Sequence, residues 1–79
     1  EPIPMPIEYL VEMICDRTAA SKTYLKDKYY PGAVWDYYDS HRDENQFHPT
    51  TRRELETILL MLKDEGEEAT FEYLRALVQ

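Results

Sequence analysis

The sequence predicts an all-α fold: a long central helix, a short second helix and a C-terminal helical hairpin. Three observations carry that expectation. Apolar residues recur at helical spacing through Ile7–Leu25; they recur again at Leu55, Ile58, Leu59 and Leu62; and prolines and glycines fall where helices start and stop.

The first six residues hold Pro2, Pro4 and Pro6, which keep the backbone extended, so Glu1 to Pro6 reads as a linker. Pro6 also suits a first helical position, with Glu8 near the positive end of the helix dipole. A helix advances about 100° per residue, so Ile7, Leu10, Val11, Ile14, Thr18 and Leu25 share one stripe. Tyr9, Met13, Ala20 and Tyr24 form a second apolar strip on another side, leaving Glu8, Glu12 and Thr23 as the wet sector. A helix apolar on two sides calls for neighbours on both. Asp16 borders the wet sector, whereas Arg17 lies between Leu10, Met13 and Tyr24 in apolar surroundings. Cys15 follows the apolar Ile14 within the helix and reads as an inert structural thiol. Ala19-Ala20-Ser21 reads as a patch where another helix approaches closely.

Beyond Leu25 the chain turns polar, and Tyr29-Tyr30-Pro31-Gly32 supplies a helix stop and a turn. Ala33 to Ser40 places Val34, Tyr37 and Tyr38 at i, i+3 and i+4, the spacing of a short helix. Trp35, Tyr37 and Tyr38 read first as aromatic caps on a small core, and second, together with Tyr9, Met13 and Tyr24, as an interaction surface. His41 to His48 has no apolar period and reads as a loop. Its Asp43, Glu44 and His48, with Asp39 and His41, match neither the ligand alternation of a calcium loop nor paired Cys/His spacing for zinc. His48-Pro49-Thr50 starts the next helix, Gly66 ends it, and Glu67-Glu68 open a last helix carrying Phe71, Leu74, Leu77 and Val78.

The chain has 79 residues, enough for one domain with a modest core. It opens on Glu1 without an initiator Met and reads as the C-terminal portion of a longer protein. The formal charge of −7, from 16 acidic and 9 basic residues, opposes nucleic acid or an anionic membrane surface as partner. It also opposes a DNA-reading helix pair in the last two helices. One cysteine allows no internal disulfide, which with the absence of an apolar signal segment points to the cytoplasm. No nucleophile stands with a matched His, and the two glycines form no phosphate loop, so no catalytic residue and no bound cofactor is assigned to this chain alone.

The string YLVEMICDRTAASKTY, the segment YYPGAVWDYY and the run HPTTRRELETILLMLKDEGEEATFEYLR together resemble the C-terminal part of an uncharacterised bacterial domain family. Its members follow an EMxCDRxAASKxY helix, a short YY helix, HPxT and a final LxMLxxxGExxTFxYIR hairpin. Some members carry the label catalase, but this chain shows no haem axial ligand and no distal site. At superfamily level the family's upstream half, with its His and His-Asp pattern, is similar to the metal-site layout of HD-type phosphohydrolases. In those enzymes a late Asp completes the site, and Cys15-Asp16-Arg17 resembles that stretch.

The resemblance therefore implies Asp16 as one ligand of a divalent metal in the full-length parent, with Arg17 as a phosphate or carboxylate clamp beside it. The bland alternatives are a solvated Asp16 and a snorkelling or ion-paired Arg17. This chain has no His-Asp dipeptide, so the isolated residues are expected to be inactive. The rival expectation is a non-enzymatic helical module that binds the parent's upstream half, another protein or a second copy of itself.

Overall fold

The structure is a computed structural model that describes residues 5–41 and 47–79. Its helices are α1 (Ile7–Leu25), α2 (Ala33–Ser40), α3 (Pro49–Glu65) and α4 (Glu67–Leu77), with a 3-10 turn at Lys26–Lys28. The described residues contain no strand, so the fold is all-α as the apolar spacing required.

α1 starts at Ile7, one residue later than Pro6 suggested. Pro6 sits outside the helix with an extended ψ of 145°, and its carbonyl accepts hydrogen bonds from the Tyr9 and Leu10 amides at 3.0 and 3.1 Å. Of the expected linker, residues 1–4 lie outside the described residues. Met5 is docked: its amide donates to Thr51 Oγ1 at 2.8 Å, and its side chain packs against the core. The hydrogen bond satisfies a fully buried threonine hydroxyl on α3.

α1 ends at Leu25, where its apolar period stops. Lys26 closes it with φ 54°, a conformation rare outside glycine, and the polar Lys26–Lys28 turn follows. Tyr30 then donates a hydrogen bond to Asp36 in the first turn of α2, and its carbonyl accepts from the Ala33 amide. His48 caps α3 by accepting the Thr50 amide at Nδ1, 3.1 Å, in the position where Ser or Asp commonly serves. Pro49 sits in the first turn, where a missing amide donor is harmless. Gly66 separates α3 from α4 with φ 91° and ψ 175°, a region essentially closed to side-chain-bearing residues.

The core comprises Leu10 and Ile14 of α1, Val34 and Tyr38 of α2, Leu55, Ile58, Leu59 and Leu62 of α3, and Leu74 of α4. α3 contributes the most buried side chains and contacts α1, α2 and α4. Thr18 tolerates burial in the α1 stripe because its hydroxyl donates to the Ile14 carbonyl at 2.8 Å. At the far end of α1, Lys22 Nζ lies 2.6 Å from Glu67 Oε1 at the start of α4 and 5.5 Å above the Tyr29 ring. The Tyr29 hydroxyl is buried without a well-formed hydrogen bond among the described residues. Loss of solvent, then the neighbouring Glu67 carboxylate, pushes its pKa up to about 12. It stays neutral across the working range.

Candidate functional site

The α1 stripe divides as periodicity requires, with Leu10, Ile14 and Thr18 buried, Ile7, Val11 and Leu25 half-buried, and Glu8, Glu12 and Thr23 exposed. The second strip behaves differently. Tyr9 is 63% exposed, Tyr24 is 86% exposed and Ala20 is open, while Met13 alone is half-buried against the core. Among the described residues no other helix covers that side. Ala19 and Ala20 are likewise exposed, so the expected close-approach patch has no neighbour among the described residues. α1 therefore presents an outer face of Tyr9, Glu12, Asp16, Ala20 and Thr23, with Tyr24 at its edge.

Asp16 stands near the middle of this face, exposed and with no hydrogen bond or ion pair among the described residues. No group of three or more His, Cys, Asp or Glu side chains gathers there or elsewhere in the described residues. Asp43 and Glu44 of the loop lie outside them. His41 is engaged at the end of α2, stacking on Tyr37 with ring centroids 4.2 Å apart. A metal at Asp16 would need its remaining ligands from outside these residues.

Cys15 corrects the expectation of a structural thiol, since it is exposed. Sequence neighbours on a helix point about 100° apart, so an apolar Ile14 says nothing about where Cys15 faces. Partial desolvation first, and the adjacent Asp16 carboxylate second, raise the thiol above its ordinary value. It is reachable but weakly ionised at neutral pH.

The aromatic surface expected on α2 also divides. Tyr38 is 1% exposed, so it belongs to the core and not to a binding surface; its hydroxyl donates to Glu56 at 2.8 Å. Trp35 is half-buried, its ring 5.7 Å from that of Tyr38. Tyr37, 62% exposed, faces solvent although it shares the i, i+3, i+4 spacing with Val34 and Tyr38. The buried azimuth runs through Val34 and Tyr38, and Tyr37 lies beyond its border.

Arg17 does not stand beside Asp16. One position on, it turns about 100° away and brings its guanidinium carbon to 6.0 Å from the Phe47 ring centroid, with no ion pair among the described residues. Phe47 in turn lines an open cavity of about 310 Å³ with Pro49, Arg52, Arg53 and Glu56. Sequence reasoning did not find this grouping. Its one available signal was an Arg-Arg pair near a helix start whose first turn carries no acid.

Fold and site together define a small four-helix module with one uncovered helix face and no assembled catalytic cluster among its described residues. The chain belongs to DUF5662, a family of unknown function, which it matches over residues 1–61. That span takes in α1, α2 and most of α3; the hairpin motif begins at Leu59 and lies mostly outside it. No curated protein and no solved structure matches the chain. No helix among the described residues is long and apolar enough to cross a membrane.

Proposed function

We propose that this chain is a helical docking module whose α1 outer face receives the polypeptide lying upstream of it in a longer protein of the family. The observation that carries this reading is the exposure of Tyr9 and Tyr24 on a helix whose opposite side packs into the core through Leu10 and Ile14. Tyrosines give large contact area with little conformational freedom to lose, and the open Ala20 between them lets a second helix come close. Glu12 and Asp16 make the face acidic, which suits an occupant presenting cationic or metal-bound groups.

Hydroxyl-radical footprinting of the 79-residue chain and of the protein with its upstream residues tests the assignment. Tyr9 and Tyr24 are expected to oxidise readily in the short chain and to be protected several-fold in the longer one. Exposed Tyr37 and buried Tyr38 are the internal standards. Equal oxidation of Tyr9 and Tyr24 in both proteins would refute the upstream occupant. Protection that appears in the short chain only at high concentration would reassign the face to a second copy.

A second reading is favoured by Asp16 lying near the middle of this same face, unpartnered among the described residues. In it the parent is an HD-like metal-dependent phosphohydrolase, and docking joins Asp16 to imidazole ligands from the upstream half. A bound divalent metal would lower the pKa of an attacking water, and Asp16 would supply one anionic oxygen ligand. Elemental analysis of the longer protein is expected to find stoichiometric metal that an Asp16→Ala variant loses while keeping its helical circular dichroism. Equal metal content in the two, or none in either, removes Asp16 from the ligand set and leaves the docking reading standing.

A further inference from the structure

We infer that the cavity at the start of α3 binds a small phosphate monoester, its phosphate held by Arg52 and Arg53 and its apolar body laid against Phe47. The inference is independent of the α1 outer face. It rests on three features that meet at one place. The first is the cavity itself, about 310 Å³ and lined by Phe47, Pro49, Arg52, Arg53 and Glu56, at the lower end of the size range of small-molecule sites.

The second is charge. In a chain of net charge −7, two adjacent arginines line this cavity, and Arg17 of α1 reaches the same Phe47 ring. None of these three guanidinium groups has an ion pair or side-chain hydrogen bond among the described residues. Glu56, the acid in the lining, already accepts the Tyr38 hydroxyl at 2.8 Å. The cavity thus holds cationic donors in excess of the acid that lines it. Guanidinium groups in a fork match two oxygens of a phosphate, and a dianion answers two positive charges better than a carboxylate does.

The third is local cost. The first turn of α3 carries no acidic side chain to complement the helix dipole, and cations follow it at Arg52 and Arg53. The helix alone gains nothing from that arrangement, because positive charge near a helix start is unfavourable. An anion seated there would reverse its sign. Residues that break a local rule without local compensation are where function is to be sought.

The test is a two-dimensional amide NMR titration of the 79-residue chain with inorganic phosphate, phenyl phosphate and benzoate. Saturable shifts are expected at Phe47, Arg52 and Arg53, with phenyl phosphate binding several-fold more tightly than inorganic phosphate because its ring covers Phe47. The double variant Arg52→Gln/Arg53→Gln is expected to weaken phenyl phosphate at least about tenfold. Both side chains are exposed, so its circular dichroism and melting should match the parent chain. Arg17→Gln, on another helix, is expected to weaken binding while leaving α3 unchanged in sequence. Absence of saturable shifts at these residues, or undiminished binding in the double variant, would overturn the site. Benzoate binding as tight as phenyl phosphate would overturn the phosphate assignment.

Discussion

Replacing Leu59 by Ala is expected to destabilise the fold by about 3–5 kcal/mol, the range for truncating a fully enclosed leucine. Leu59 is fully buried on α3, the helix that contacts α1, α2 and α4, so the hole opens where the elements converge. A domain this small holds on the order of 5–10 kcal/mol in total. The substitution should therefore populate unfolded chain at room temperature. Urea denaturation followed by far-ultraviolet circular dichroism measures it, with Leu60→Ala as control. Leu60 is the next residue on the same helix but is exposed, and its truncation should change stability by less than about 1 kcal/mol. Equal midpoints for the two variants would show that the core is not where the structure places it.

Tyr38→Ala is expected to have the next largest effect, about 3–5 kcal/mol, because it removes a buried aromatic ring from between α2 and α3. Tyr38→Phe separates the ring from its hydroxyl. The phenylalanine keeps the packing against Trp35 but deletes the hydrogen bond to Glu56, an interaction with a charged acceptor worth about 1.5–3 kcal/mol. The same urea measurement checks both. If Tyr38→Phe were neutral and Tyr38→Ala cost under about 1 kcal/mol, Tyr38 would be a surface aromatic after all, available to a partner.

Much of this molecule could be read directly from residue order. Gly66 marks a stop because a positive φ is needed there, and His48-Pro49 marks a start because a cap and a donor-free residue suit a first turn. The stripe through Leu10, Ile14 and Thr18 and the set Leu55, Ile58, Leu59 and Leu62 were legible for the same kind of reason. Each depends on neighbours within about four positions, and helix geometry converts that spacing into direction. The end of α1 at Leu25 was legible too, because the apolar period stops there and polar Lys26-Asp27-Lys28 follow.

The candidate sites depended on more distant relations. Tyr9 and Tyr38 look alike in sequence, each an aromatic on a helix with apolar companions, yet one is open and the other is sealed. Nothing local separates them; what does is whether another helix passes over that azimuth. Arg17 shows the same limit, since its apolar sector was legible but Phe47, 30 positions away, was not. Asp16 and Arg17, adjacent in the chain, serve different sides of α1 once the helix is packed.

The sequence by itself determined the all-α class, the helix spans and the residues able to form a core, because these follow from periodicity and from terminal residues that satisfy backbone groups. Only the tertiary structure decided which of the two apolar strips on α1 would be used. A 79-residue chain has too few helices to surround α1, so α2 and α3 cover one strip and leave Tyr9, Ala20 and Tyr24 in the open. The same packing gathered Phe47, Arg52 and Arg53 around one cavity and brought Arg17 to the Phe47 ring, a neighbourhood set by chain crossing and not by chain order.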